Sequence, residues 1–318
     1  MLRSALHSLL LLCAALPVAQ AQVVPGPPGP IVEGSTGPSG ILAPGARFEA
    51  SYTPDGQSNG FQDFVLWLPE SAPPRSGYPL MVFVPGGGWK EPNPLPKDPT
   101  GLNRRLRRRG VGVEDVRYSH SGLPGPSGRF PAAEQDIQAV VQHFRFHAQT
   151  YRIDPSRVLL NGRSAGGHAV QAAALWADAA DPTASDQRRE SSRPMAYLLG
   201  SVAATHIPTL TQFNPSPLAR YLNGGVRLSN VPQALQLEAS PTEWIDAAPE
   251  LAREIPAFIV GSPRDVDVPL GMPFVSSAIP HNHDPWNALT LWFRLRGTGG
   301  VHGMYSIFVD TNVFELEN

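Results

Sequence analysis

Short apolar runs recur along the chain and are separated by longer segments of mixed polarity. The runs at positions 64–68, 80–84, 158–160, 197–199 and 257–260 are almost continuously apolar, and the run at 111–118 is more polar. A continuous apolar run of this length is typical of a strand that is buried on both faces of a parallel sheet. These runs therefore predict strands.

The segments between the runs carry apolar residues at helical spacing. Pro131 predicts the first turn of a helix that reaches residue 148, with an apolar face made by Ala133, Ile137, Val140, Val141, Phe144 and Ala148. Further helices are predicted at 166–180 and 286–296. Regular alternation of strands and helices predicts an α/β fold with a mostly parallel central sheet flanked by helices.

The first 46 residues differ in composition from the rest of the chain. Arg3 precedes an apolar stretch at 9–16 that is too short to span a membrane, and Ala19 and Ala21 form a cleavage site. We therefore expect a signal peptide at 1–21, a leader rich in proline and glycine at 22–46, either mobile or lying on the domain, and a folded domain at 47–318. The mature protein is expected to be secreted or periplasmic. It would contain no cysteine, because Cys13 lies in the signal.

The net charge of −2 on 318 residues, 42% of them hydrophobic, fits one domain with a large core. It gives no reason to expect nucleic-acid binding, and no membrane span is expected in the mature chain. Arginines are concentrated at 104–109. We interpret this run as the solvated face of a helix whose buried side holds Leu102 and Leu106, rather than as a site for an anionic ligand.

Ser164 follows the apolar run at 158–160 and lies in the string Gly162-Arg163-Ser164-Ala165-Gly166-Gly167-His168. Gly-x-Ser-x-Gly between a strand and a helix is typical of a sharp turn that exposes a nucleophilic hydroxyl. The glycines remove side chains that would collide with the turn. The backbone N–H of Ala165 then faces the place where an oxyanion forms.

A second glycine-rich motif, Pro85-Gly86-Gly87-Gly88-Trp89, follows the run at 80–84. Consecutive glycines after a buried strand allow backbone N–H groups to approach a ligand closely, as an oxyanion hole requires. No Gly-Lys-Ser/Thr string follows, so a phosphate loop is not indicated. Trp89 either lines the substrate pocket or caps the edge of the sheet.

With both motifs in place, the chain resembles the α/β-hydrolase superfamily, and within it the bacterial carboxylesterases and lipases that act on short acyl, acetyl or feruloyl esters. The likeness covers about residues 50–305 and includes 80–89, 130–133, 151–157, the Ser164 motif and 256–269. It departs from the family at Pro85, where a histidine is usual. The resemblance implies a secreted serine esterase with a Ser-His-Asp triad, a small-molecule or polysaccharide-linked ester as substrate, and neither cofactor nor metal.

The resemblance also implies where the other triad members lie. It places the acid after the strand at 257–260, which selects Asp265, with Asp267 as the fallback. The base should follow the acid, and His302 has the family-like His-Gly context. However, in the family a strand normally precedes this histidine, whereas here the strand-like residues are 304–309, which follow it. His283, His281 or no histidine at all therefore remain alternatives. An incomplete triad would make the protein a non-catalytic binding protein of the same fold.

Three other features have weaker chemical interpretations. His281, His283 and Asp284 form an incomplete metal-ligand set, which we interpret as loop polarity. His168 is expected to pack or to orient its neighbours. The irregular segment at 181–250 is either a partial lid over the active site or a set of surface connections.

Overall fold

The computed structural model describes residues 31–33, 40–54, 58–90, 95–97, 101–202, 205–208, 210, 216–225, 227–261 and 285–306. The strands of the described residues form one sheet in the order β1-β2-β3-β5-β4-β6-β7-β8-β9. Their bounds are β1 Ile31–Glu33, β2 Arg47–Ser51, β3 Asp63–Trp67, β4 Tyr78–Val84, β5 Gly112–Val116, β6 Ile153–Ser164, β7 Ala196–Val202, β8 Ala257–Gly261 and β9 His302–Ser306.

The sheet is antiparallel at one end and parallel through the rest. The pairs β1–β2, β2–β3 and β3–β5 are antiparallel, and every pair from β5–β4 to β8–β9 is parallel. This arrangement confirms the predicted α/β-hydrolase fold. Because β4 and β6 are neighbours and parallel, with Val84 opposite Gly162, the loops that follow them meet at one edge of the sheet.

Helices cover the sheet and supply most of the remaining core. Their bounds are α1 Gly101–Arg108, α2 Ala132–Phe146, α3 Ala148–Tyr151, α4 Ala165–Leu175, α5 Ser216–Asn223, α6 Gln233–Glu238, α7 Pro241–Ala247, α8 Pro249–Glu254 and α9 Pro285–Gly297. The predicted apolar face of α2 is buried, from Ala133 to Phe144. Helix α4 ends five residues earlier than the predicted 180, because the chain becomes extended at Trp176. None of these helices is both long and apolar enough to cross a membrane.

Part of the predicted leader belongs to the folded domain. Residues 31–33 form the edge strand β1, which pairs with β2. Leu42 is buried, and its backbone N–H donates to the carbonyl of Thr150 at 3.0 Å. The folded domain of the described residues therefore begins before residue 47. An extended segment that contains proline can still pair at the edge of a sheet.

The arginine run lies on α1 as expected of a solvated face. Arg104 and Arg108 are exposed, whereas Arg107 turns inward and donates two hydrogen bonds to the carbonyl of Leu68 at 3.1 and 2.9 Å. Leu106 packs against a small apolar cluster of β3 and β5 residues. The residue of α1 that is buried outright is Asn103, which donates to Asp115 at 2.9 Å. The side of α1 that faces the sheet is therefore more polar than expected, because it holds Asn103 and Arg107 as well as the predicted leucines.

Glu114 is a buried acid in the middle of β5. Its side chain has 0% exposure, and neither carboxyl oxygen has a hydrogen-bond partner among the described residues. Burial, and then the neighbouring charge of Asp115, raises the pKa of the Glu114 carboxyl well above its usual range. The folded protein therefore holds this proton at pH values where the unfolded chain has lost it.

We expect Glu114→Met to become more stabilising, relative to the wild type, as the pH rises. Between the unfolded pKa of about 4.3 and the raised native pKa, the native state binds more protons, so wild-type stability falls with increasing pH by up to about 1.4 kcal/mol per unit from this group. Urea unfolding at pH 5, 6, 7 and 8 measures the difference between the two proteins. The exposed Glu70→Gln is the control, and a constant difference for Glu114→Met would contradict the assignment.

Candidate active site

The turn between β6 and α4 places Ser164 at the carboxyl edge of the sheet. Its backbone has φ 53° and ψ −124°, a strained conformation for a residue with a side chain. A Cβ on Gly162 would lie 2.6 Å from the Cα of Gly167, and one on Gly166 would lie 2.3 Å from the carbonyl oxygen of Val84. Both glycines are therefore required by close packing of α4 against β6 and β4, as the motif predicts.

The glycine loop after β4 packs directly against the Ser164 side chain. A Cβ built on Gly86 would lie 2.9 Å from the Cβ of Ser164 and 3.6 Å from its Oγ. The next two residues have positive φ, 149° at Gly87 and 60° at Gly88, which favours glycine at both. The fold thus brings Gly86, Gly87, Ala165 and Ser164 together at one edge, which is the arrangement an oxyanion hole requires.

Pro85 takes part in a brace for this loop through its carbonyl group. The buried hydroxyl of Tyr118 donates to the Pro85 oxygen at 2.7 Å. Further along the loop, the N–H of Ser121 donates to the carbonyl of Trp89 at 2.7 Å. The segment after β5 therefore holds both ends of the loop, although no histidine precedes the glycines.

Trp89 is a core residue in this fold. Its side chain has 1% exposure, and its ring stacks on Tyr221 with centroids 5.9 Å apart and an interplanar angle of 21°. The His168 ring packs against the same indole in a T-shaped arrangement, with centroids 5.6 Å apart. A side chain so enclosed presents no free surface to a substrate, so the structure supports packing at the sheet edge rather than the predicted substrate contact.

The structure does not bring the predicted base, His302, to the nucleophile. His302 begins β9 opposite Ala257, in the row that continues through Tyr197 to Leu160 on β6. Ser164 lies four residues beyond Leu160, and β9 is three strands from β6. Spacings of about 4.8 Å per strand and 3.3 Å per residue separate the two by roughly 20 Å.

The surroundings of His302 fit a structural role at the opposite edge of the sheet. Its Nε2 lies 3.3 Å from the hydroxyl of Thr298, and burial lowers the pKa of the imidazole. The family pattern has the base after a strand, whereas the strand expected at 304–309 starts at His302 itself. The expected imidazole position at the carboxyl edge is therefore not filled by His302.

The remaining predicted triad residues lie outside the described residues. These are Asp265, its fallback Asp267, and the alternative bases His281 and His283. Within the described residues, no group of three or more His, Cys, Asp and Glu side chains is arranged to hold a metal ion.

A buried polar cluster lies beside the oxyanion loop, and sequence reasoning found only one of its members. His168 Nδ1 lies 2.8 Å from Glu134 Oε1, and its Nε2 donates to the carbonyl of Ala239 at 2.7 Å. The hydroxyl of Tyr221 donates to the other oxygen of Glu134. All three side chains have 0% exposure. The sequence gives no distinct signal for Glu134, because it lies among the polar residues Gln135 and Asp136 in the first turns of α2.

A second imidazole was also missed, on the segment that follows β7. Nδ1 of His206 lies 3.1 Å from the hydroxyl of Thr242 and 3.5 Å from Glu243 Oε1. Because the Thr242 hydroxyl donates to the carbonyl of Thr205, it accepts from His206, which assigns the proton to Nδ1. His206 is half-buried, and β7 is the strand next to β6.

Comparison with known proteins shows that this chain is similar to esterases. The model of the BD-FAE family matches residues 66–272. Esterase LipQ of Mycobacterium tuberculosis is 31% identical over 148 residues, which are 43% of this chain and 32% of that esterase. The chain therefore spans about a third of the length of this curated relative.

Solved structures share the fold at low sequence identity. An acetyl ester-xyloside bifunctional hydrolase from Caldicellulosiruptor lactoaceticus superposes with a TM-score of 0.59 at 18% identity, covering 77% of this chain and 76% of that one. Esterase 2 of Thermogutta terrifontis, phosphonylated by sarin, superposes with a TM-score of 0.55 at 16% identity, covering 81% and 82% of the two chains.

Proposed function

Because this chain belongs to the BD-FAE family of α/β-hydrolase esterases, a family of carboxylic ester hydrolases, we propose that it is a secreted serine hydrolase of short acyl, acetyl or feruloyl esters. The observation that carries the proposal is the contact between two motifs. The strained Ser164 turn lies directly against Gly86, so a nucleophile and backbone donors share one site.

The proposed reaction follows from this geometry. The Ser164 hydroxyl attacks the ester carbonyl carbon and transfers its proton to a histidine. Backbone N–H groups of Gly86 or Gly87 and of Ala165 stabilise the negative oxygen of the tetrahedral intermediate. The alcohol leaves with a proton from the histidine, and water then hydrolyses the acyl-enzyme. Asp265 is proposed to orient the imidazole.

The similar proteins support this substrate class and this type of chemistry. The Caldicellulosiruptor protein is an acetyl ester-xyloside hydrolase, which favours acetyl esters carried on a sugar. The Thermogutta esterase is phosphonylated by sarin, and phosphonylation of this kind is expected at Ser164. We therefore propose an ester that is either a small molecule or attached to a polysaccharide.

We propose that the base comes from His281 or His283, on grounds of topology. Helix α9 leads from Pro285 into β9, whose first residue, His302, lies at the far edge of the sheet. A helix of 13 residues is about 20 Å long, enough to cross the sheet, so Pro285 marks the edge where Ser164 lies. His283 precedes Pro285 by two residues. His206 is the alternative from the described residues.

A set of histidine variants separates these assignments. We expect one of His281→Ala and His283→Ala to reduce kcat for p-nitrophenyl acetate by about 10⁴–10⁶-fold, because triad members act as a unit. His302→Ala and His206→Ala should keep most of the activity. Wild-type activity should decline as the pH falls through about 6.5, where an imidazole gains its proton. A large loss of activity in His206→Ala would instead identify His206, on the segment after β7, as the base.

Export is proposed from the sequence of the first 21 residues. We expect the mature protein to begin at Gln22, after the Ala19-Gln20-Ala21 cleavage site. N-terminal sequencing of protein recovered from the medium or periplasm of a bacterial host measures this. Exported protein that still begins with Met1 would contradict it.

A further inference from the structure

The buried cluster of Glu134, His168 and Tyr221 touches both segments that supply the proposed oxyanion donors. His168 is in the first turn of α4, three residues after Ala165. Tyr221 is on α5 and stacks on Trp89, the residue that follows the loop glycines. The His168 ring meets the same indole at 5.6 Å, so the indole lies between the two segments.

The hydrogen bonds of the cluster leave little freedom to its members. The carbonyl of Ala239 can only accept, so His168 Nε2 carries a proton. Glu134 receives the Tyr221 hydroxyl on one oxygen and faces His168 Nδ1 with the other, at 2.8 Å. The Tyr221 oxygen accepts from the backbone N–H of Ala133 at 3.3 Å. A carboxylate enclosed in this way is held from two sides, in a region with little water to replace a lost contact.

The start of helix α5 lies beside the glycine loop. A Cβ on Gly88 would lie 3.8 Å from the Cβ of Pro217, at the start of the helix that carries Tyr221. A second attachment is the N–H of Phe130, which donates to the carbonyl of Tyr221 at 2.9 Å. Tyr221 thus lies next to the glycine loop, through the stacked Trp89 and the start of its own helix.

We propose that Glu134, His168 and Tyr221 are positioning residues that fix the distance between the two halves of the oxyanion hole, the glycine loop after β4 and the first turn of α4. This inference rests on the proposed function, because it concerns the same site. The three side chains act through Trp89 and the backbone and do not touch the ester. The part of the 181–250 segment that forms α5 thus supports the oxyanion loop on the side away from the substrate.

Tyr221→Phe and Glu134→Gln test the proposal, with Tyr151→Phe as the matched control. Tyr151 is also buried and also bonds to a buried histidine, His143 Nε2 at 3.0 Å, but it lies on α3, away from the glycine loop. We expect kcat for p-nitrophenyl acetate to fall about 10–100-fold in the test variants with KM within about twofold, because an error of about 1 Å in donor position costs on this scale. The control should keep its kcat.

Hydrogen exchange measured by mass spectrometry gives a readout that does not require turnover. Backbone amides of residues 86–90 and 165–168 should exchange at least about fivefold faster in the test variants than in the wild type or in Tyr151→Phe. Unchanged exchange, faster exchange without loss of kcat, or an equal loss of kcat in the control would each overturn the proposal. If the wild type hydrolyses no ester, the proposed function fails, and exchange alone decides whether the cluster holds the loop. If Glu134→Gln does not fold, the proposal is tested with Tyr221→Phe, which is the more conservative change.

Discussion

Replacement of Ser164 by alanine is expected to abolish ester hydrolysis, with a loss in kcat of about 10⁴–10⁶-fold. Ser164 ends β6 at the tight glycine turn and lies against Gly86. Loss of a nucleophile removes the covalent route. Alanine keeps the Cβ and removes the hydroxyl, so the fold should be retained. Steady-state hydrolysis of p-nitrophenyl acetate and thermal unfolding measure the two effects.

The exposed serine Ser229 provides the control for this change. Ser229→Ala should keep wild-type kinetics. Mass spectrometry after treatment with an organophosphonate gives a second readout, since the adduct should form on the wild type and be absent from Ser164→Ala. Near-wild-type turnover by Ser164→Ala would show that another group attacks the ester.

Gly86→Ala is expected to reduce kcat by about 10²–10³-fold, the scale associated with one lost oxyanion donor. The new methyl group would lie 2.9 Å from the Cβ of Ser164 and 3.2 Å from the carbonyl oxygen of Arg163. Neither atom is the far end of a flexible side chain, so the loop must move away from the nucleophile. Kinetics at several substrate concentrations should show the loss mainly in kcat.

Two variants make this test specific to the loop. Gly200→Ala lies on β7 with no atom within 4 Å of the new Cβ, so it should be close to neutral. Pro85→His should also cost little, because histidine keeps the carbonyl that accepts from Tyr118. If Gly86→Ala were as active as Gly200→Ala, the oxyanion donors would have to come from another segment.

The periodicity of the sequence was sufficient to predict the main strands, and the Gly-x-Ser-x-Gly motif was sufficient to predict the turn at Ser164. The apolar runs at 80–84 and 158–160 became β4 and β6, and the intervening helical face became buried α2. These elements are determined locally, because a continuous apolar run or a helical stripe is stable only when buried. The edge strand β1 and its neighbour β2 were not predicted, since short strands of mixed polarity carry little periodic signal.

The positions of the histidines could not be read from local pattern. His302 has a family-like neighbour in Gly303, yet the register of β9 with β8 puts it at the edge opposite Ser164. A shift in where a strand begins moves a residue from one edge of the sheet to the other, and the local composition is the same in both cases. The pairing of His206 with Thr242 could not be predicted either, because the two residues are 36 positions apart and only the fold brings them together.

By itself, the sequence determined that a serine on a strained turn and a glycine-rich loop each follow a buried strand of an α/β fold. Those features depend on short-range sterics, which require glycine at fixed spacings from Ser164. Only the tertiary structure decided that Gly86 touches Ser164, that Trp89 is buried, and that Glu134 meets His168 and Tyr221. These contacts join residues far apart in the chain, and strand order and helix packing alone bring them together.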